Sequence, residues 1–339
     1  MSDPIVVWGA GAIGGTLAAH WVQAGQEVLI VDIVGDHVEA CRTSGLKIEG
    51  PVNEFTVRIP ALLPEEVTGK YSRMVLAVKA QHTEGAAKAL APHLADDGFV
   101  VSTQNGMNEL VISEVIGKER TVGAFVNFGA DWMEPGRILF GNRGAVVIGE
   151  LDGVEIDRTR SLFQLMQIFE PDAVLTDNIW GYLWGKMGYG AMLYATSLNN
   201  NSMADNFADL RFEPVWIAIA REVMELANKR GADPIGFNGF DPAAFMPGAS
   251  LETAQTCVAQ LAEFNRHSAK THSGVWRDLA VRKRKVELEP ILTLIQMAGE
   301  VGLPVTMLRC LVDLIHDVEE GRRPLTEENL SVLLERSQS

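Results

Sequence analysis

Residues 5–15 read IVVWGAGAIGG: an apolar run ends at Gly9, and Gly11, Gly14 and Gly15 follow where a helix should begin. Glycine inside a helix costs about 0.5–1 kcal/mol relative to alanine, so this many in one place demand a reason. The pattern Gly9-x-Gly11-x-x-Gly14, placed directly after a strand, supplies one. Gly9 permits the tight turn, Gly11 lets backbone approach a pyrophosphate, and Gly14 lets the helix pack against the strand. The N–H groups that open the helix, around Ala12 and Ile13, would hold the phosphates with the positive end of the helix dipole. EVLIVD (27–32) follows at the distance of a second strand and ends in Asp32. A carboxylate there accepts hydrogen bonds from both adenosine ribose hydroxyls and repels a 2′-phosphate, which favours NAD over NADP. The competing interpretation is a strand-turn-helix corner that holds no ligand, with Asp32 a solvated strand end.

Short β-branched runs alternate with helical stretches through the first half. IVVW (5–8), EVLIVD (27–32), MVLAVKA (74–80) and FVVSTQNG (99–106) are short and continuously apolar, as buried parallel strands are. Residues 12–24 place Ile13, Leu17, Ala18 and Trp21 at helical spacing, and Gly25 stops the helix. From about 120 to 150, TVGAFVNFG, GRILFG and GAVVIGE are strand-like pieces expected to complete the same sheet. Beyond Asp177 strands give way to helices, expected at 178–198, 208–230, 251–270, 274–303 and 304–319, with a loop at 231–250. The expected architecture is an α/β Rossmann-type N-terminal domain (1–175) followed by an all-α C-terminal domain (176–330) that carries the substrate chemistry.

Composition narrows the partners. The 339 residues include 29 Lys and Arg against 44 Asp and Glu, a net charge of −15 that repels a phosphate backbone and an anionic membrane surface. Nucleic acid and membrane are therefore not expected partners, and a small molecule is. Cys41, Cys257 and Cys310 lie far apart with no CxxC pair, so neither a disulfide framework nor a metal site is expected. With no basic leader before the first strand and no apolar stretch of ~20 residues, the expected compartment is the cytoplasm. Trp216, Phe207, Phe212, Phe240 and Phe245 in the helical half are either core or the surface of a homodimer.

A dinucleotide enzyme that interconverts an alcohol and a ketone needs a proton donor and acceptor. His20, His37, His93 and His316 are scattered, and His82, His267 and His272 fit polar surface positions as well as catalytic ones. Lys186 stands apart. It lies in the apolar, aromatic-rich helix NIWGYLWGKMGYGAMLYATSLNN, where burial would lower its pKa and let it shuttle a proton near neutrality. A lysine that snorkels its ammonium to the surface fits the same pattern.

GAGAIGG, VKAQHT (78–83), TQNGM (103–107), LWGKM (183–187) and SGVWRDL…VELEP (273–290) come in an order and spacing that resembles the ketopantoate reductase (2-dehydropantoate 2-reductase) family across nearly the whole chain. The resemblance implies that Lys79 lines the cofactor site near the nicotinamide ribose and that Asn105 contacts cofactor and substrate. It implies that Lys186 is the general acid for the ketone oxygen, and that Glu287 hydrogen-bonds the substrate hydroxyl. Ser273, with Gly274 as the adjacent alternative, would bind a carboxylate.

The chain also departs from the family pattern. The family's catalytic lysine is followed four and eight positions later by asparagines that grip the substrate; here those positions are Gly190 and Tyr194. Losing two amide partners argues against ketopantoate itself, because sites built to hydrogen-bond a hydroxyl discriminate by up to about 10⁴–10⁵. A bulkier or aromatic 2-keto or 2-hydroxy compound suits Gly190, Tyr194, Trp180 and Trp184 better. The expected activity is an NAD-dependent dehydrogenase of a secondary alcohol. The alternatives are an NADPH-dependent 2-dehydropantoate 2-reductase with a rearranged pocket and a non-catalytic NAD(H) sensor.

Overall fold

A computed structural model describes residues 3–268 and 270–338. The chain divides between Ile179 and Trp180 into two compact units. In chain order the first unit runs β1 (Ile5–Trp8), α1 (Ala12–Gln23), β2 (Val28–Val31), α2 (Gly35–Thr43), β3 (Leu46–Glu49), β4 (Phe55–Val57), β5 (Ala61–Leu62), β6 (Tyr71–Leu76) and α3 (Thr83–Leu90). It continues through β7 (Leu94–Ser102), α4 (Asn108–Ile116), β8 (Thr121–Val126), β9 (Gly129–Glu134), β10 (Arg137–Asn142), β11 (Val146–Glu150), α5 (Asp157–Phe169) and β12 (Val174–Leu175).

Eight of these strands form one sheet in the order β12-β11-β8-β7-β6-β1-β2-β5. The four central apolar runs pair parallel, β2 with β1, β1 with β6 and β6 with β7. Both faces are covered, since Ile5, Val7 and Ile30 enter one apolar cluster and Val6, Trp8 and Val31 the other. That two-sided burial is why these strands read as continuous apolar runs rather than alternating ones. Trp21 of α1 is fully buried and donates its indole N–H to the Leu165 carbonyl of α5 at 2.9 Å, tying two covering helices together.

Three expectations are corrected. The GRILFG strand does not extend the main sheet; β10 joins β9, β3 and β4 in a separate four-stranded sheet, while β8 and β11 pair antiparallel in the main one. The cause is packing: Ile48, Ile138 and Phe140 bury their side chains in the cluster that includes Leu17 and Trp21 of α1. The strands expected at 74–80 and 99–106 stop at Leu76 and Ser102, and the residues that follow each form loops. The helix expected at 274–303 is broken into α10 and α11, as described next.

The second unit consists of α6 (Ile179–Thr196), which begins at the boundary, α7 (Met203–Ala208), α8 (Glu213–Lys229), α9 (Leu251–Arg266), α10 (Gly274–Trp276), α11 (Glu289–Glu300), α12 (Thr306–Glu319) and α13 (Glu327–Ser337). Between α10 and α11 a single π-turn at 277–281 runs out into an irregular segment. Pro290, in the first turn of α11, lacks the N–H that a continuous helix needs but suits a helix start. Asp278 stabilises the irregular segment by accepting from Arg282 and Arg284, each at 2.9 Å. Lys283 there adopts φ +48°.

Trp216, Phe207, Phe212, Phe240 and Phe245 are at most 4% exposed, so they are core and supply no dimer surface. The buried Asn206 side chain pins the end of α6: its amide reaches the Thr196 carbonyl at 3.3 Å and Asn199 Oδ1 at 3.1 Å. No helix among the described residues is long and apolar enough to cross a membrane.

Candidate active site

In the first unit the candidate residues gather where β1, β2, β6 and β7 end. Gly9 has φ +99°, and a Cβ there would lie 2.8 Å from the Val78 amide nitrogen. A Cβ on Gly14 would lie 2.0 Å from the Gly9 carbonyl oxygen and 2.9 Å from Ala77 Cβ. These two glycines are required by the chain's own packing. Gly11 differs, because a Cβ there meets nothing within 4 Å. Its bareness serves no internal contact, so the side left open is free for an outside group to approach the backbone. Gly11 also caps α1 without a side-chain hydrogen bond, and no acidic residue occupies the first turn. The N-terminal N–H groups near Ala12 and Ile13 thus face no competing anion of the helix itself, the condition for holding a pyrophosphate.

Asp32, half-buried at the end of β2, accepts from the Ala10 N–H at 2.8 Å with Oδ2 and from the Val34 N–H at 2.9 Å with Oδ1. A carboxylate has about four acceptor positions, so two bonds leave capacity for ribose hydroxyls. Ile33 and Val34, which follow it, are exposed and apolar. Neither offers a cation to a 2′-phosphate.

Lys79 is half-buried and opens a short 3₁₀ turn, and Asn105 is exposed. A buried polar network fixes the two loops that carry them. Gln104 Nε2 donates to the Val78 carbonyl at 2.8 Å and to Thr83 Oγ1 at 2.7 Å; Thr83 donates to Asn108 Oδ1 at 2.8 Å. Asn108 Nδ2 in turn donates to the Asn105 carbonyl at 2.6 Å. The structure therefore brings Gly9, Lys79 and Asn105 to neighbouring loops. Gln104, Thr83 and Asn108 were not among the sequence candidates, although their polar side chains interrupt an apolar pattern at strand ends.

In the second unit Lys186, Gly190 and Tyr194 lie on one stripe of α6, at intervals of four. Lys186 and Gly190 are half-buried. Glycines elsewhere on α6 allow close packing: a Cβ on Gly185 would lie 2.0 Å from the Ile235 carbonyl oxygen, and one on Gly188 would lie 2.7 Å from Met224 Cε. At Gly190 a Cβ meets nothing within 4 Å. One helical turn from Lys186 there is open space.

Tyr194 does more than line a wall, since its hydroxyl donates to the backbone carbonyl of Glu287. Burial first, then the charges of Glu287, Glu289 and Asp278, push the Tyr194 phenol well above its usual pKa, so it stays a neutral donor. Glu287 sits just before α11, and Glu319 of α12 accepts from the adjacent Val286 N–H at 2.6 Å. Ser273 is 3% exposed and caps α10, its Oγ accepting from the Trp276 N–H at 3.1 Å. Trp184 is 4% exposed and belongs to the packed side of α6, whereas Trp180 is half-buried.

A Rossmann-type sheet that opens on a glycine loop, followed by a helical unit, is a fold this chain shares with solved ketopantoate reductases. The sequence profile described as Ketopantoate reductase PanE/ApbA matches residues 5–153. A 2-dehydropantoate 2-reductase of Mesorhizobium japonicum is 29% identical over 230 residues, covering 60% of this chain and 70% of its own. One of Archaeoglobus fulgidus is 26% identical over 319 residues, covering 94% and 98%. A PanE/ApbA family ketopantoate reductase of Ralstonia eutropha superposes with a TM-score of 0.77 at 21% identity, covering 94% of this chain and 99% of its own. D-mandelate dehydrogenase, solved with NADH and anilino(oxo)acetate, superposes with a TM-score of 0.80 at 19% identity, covering 94% and 99%. The chain is thus similar to ketopantoate reductases along most of its length and is an oxidoreductase acting on CH–OH groups.

The glycines give a paired prediction. Gly14→Ala should destabilise the fold by about 1–3 kcal/mol through overpacking, read by denaturant unfolding. Gly11→Ala should unfold like the wild type yet bind NADH about tenfold more weakly, a loss of ~1.4 kcal/mol, read by titration.

Proposed function

We propose that the chain is an NAD-dependent dehydrogenase that interconverts a secondary alcohol of the 2-hydroxy-acid type, carrying a bulky or aromatic substituent, with its ketone. The open position at Gly190, one turn from Lys186, carries this proposal. A side-chain amide at that position would grip a small polar substrate; a bare backbone with space beside it admits a larger, less polar group. The likeness to D-mandelate dehydrogenase supports an aromatic substituent, and the NADH bound to that protein agrees with Asp32 as the ribose ligand here.

Bound NAD supplies the hydride acceptor. The chain's own residues handle the proton. Neutral Lys186 takes the substrate's hydroxyl proton on Nζ as the carbon gives up its hydride, and returns it to the ketone oxygen in the reverse direction. Glu287 orients the hydroxyl, and Tyr194 holds the Glu287 backbone in place. Ser273 is assigned to a substrate carboxylate, with its Oγ already fixed by the Trp276 N–H. Gly9, Gly11, Ala12, Ile13, Gly14, Asp32, Lys79 and Asn105 are assigned to the cofactor.

Three outcomes test these assignments. Lys186→Ala should lower kcat by about 10²–10⁴ while leaving the NADH dissociation constant nearly unchanged; near-normal turnover would refute the proton role. Gly190→Asn should lower kcat/KM for aromatic 2-hydroxy acids more than for small ones, measured across a substrate panel by NADH absorbance. The wild type should prefer NAD to NADP, and Asp32→Arg should erase or reverse that preference; equal use of both by the unmodified protein would count against Asp32.

A further inference from the structure

His37, in the first turns of α2, is 1% exposed, and both of its ring nitrogens are engaged. Nδ1 accepts from the Gly136 N–H at 3.0 Å and lies 3.3 Å from the Trp132 indole N–H. Two donors on one nitrogen leave no room for a proton there, so Nε2 carries the hydrogen and donates it to the Ala10 carbonyl at 3.0 Å. Burial holds the His37 pKa below its usual value despite the pull of Asp32 and of the Ala10 hydrogen bond. The neutral Nε2–H tautomer is the form this fold uses.

Ala10 lies between Gly9 and Gly11. Its N–H is bound by Asp32 and its carbonyl by His37, so two side chains clamp one residue of the glycine loop from opposite polar ends. The other side of the ring reaches the turn between β9 and β10, where Gly136 adopts φ +74°. An apolar side chain would fill the volume of His37 but leave the Gly136 and Trp132 N–H groups without this acceptor and the Ala10 carbonyl without this donor. Losing partners that the fold provides destabilises the arrangement, most at the buried Ala10 carbonyl.

We infer that His37 is a positioning residue for dinucleotide binding: its locked imidazole orients the Ala10 peptide and couples the glycine loop to the small sheet through Trp132 and Gly136. The role lies outside proton transfer. It predicts a change in cofactor affinity with little change in the chemical step, which separates it from a core histidine whose loss disturbs everything together.

The inference rests on dinucleotide binding by the glycine loop, and NADH binding to the wild type tests that reading by itself. His37→Leu should raise the NADH dissociation constant about tenfold, ~1.4 kcal/mol, while kcat at saturating cofactor changes less than about twofold. His37→Gln, which keeps a donor and an acceptor on one side chain, should recover most of the affinity. Unchanged NADH binding by His37→Leu, an equal fall in affinity and kcat, or a Gln variant no better than Leu would each overturn the inference. Should His37→Leu fail to fold, Trp132→Phe at its 39% exposed site decides the matter. Removing that single donor should weaken NADH binding measurably, and wild-type affinity in this variant would overturn the coupling.

Discussion

The close approach of the Gly9 turn to the Ala77–Val78 backbone is the constraint on which the first unit depends. Only a residue without Cβ and with access to positive φ lets β1 turn into α1 while the end of β6 passes 2.8 Å from where a side chain would stand. That contact puts the start of α1 beside the loops that follow β6 and β7. Gln104, bridging Val78 and Thr83, then keeps the two loops at a set spacing. Lys79 and Asn105 inherit their positions from this backbone contact and this amide.

The second unit meets a different demand. Lys186 rides on a regular helix, whereas Glu287 comes from a segment that is neither helix nor strand. An irregular backbone has no ladder to satisfy its polar groups, so side chains do it instead: Asp278 gathers Arg282 and Arg284, Glu319 takes the Val286 N–H, and Tyr194 donates to the Glu287 carbonyl. The tyrosine's reach from α6 links the stripe that carries Lys186 to the segment that carries Glu287. Its hydroxyl thus serves the protein's backbone, where a substrate-gripping asparagine would have served a ligand.

The parallel strands were legible because two-sided burial leaves long apolar runs, and the glycine loop because its spacing follows from backbone sterics. The separate small sheet was not legible, since GRILFG has the same strand pattern whichever sheet it joins; only the packing of Ile138 and Phe140 with α1 decides. The break before α11 had a visible sign in Pro290, but the run of charged residues around it keeps helical spacing and hides the interruption. Lys186, Gly190 and Tyr194 could be placed on one face by counting. That Tyr194 binds a backbone carbonyl 93 residues away could not, and neither could the engagement of His37 with the glycine loop, because hydrogen bonds between distant segments leave no periodic trace.

On the proposed assignment, Asp32 carries two duties on one carboxylate: it anchors the Ala10 N–H, and it would read the ribose hydroxyls of the cofactor. Under that assignment, cofactor choice and loop order are linked traits in this scaffold. A redesign toward a phosphorylated dinucleotide has to install a cation and also find a new acceptor for the amide that Asp32 abandons. A second-site change near the loop, rather than a stronger cation, is where such a redesign would recover its lost efficiency.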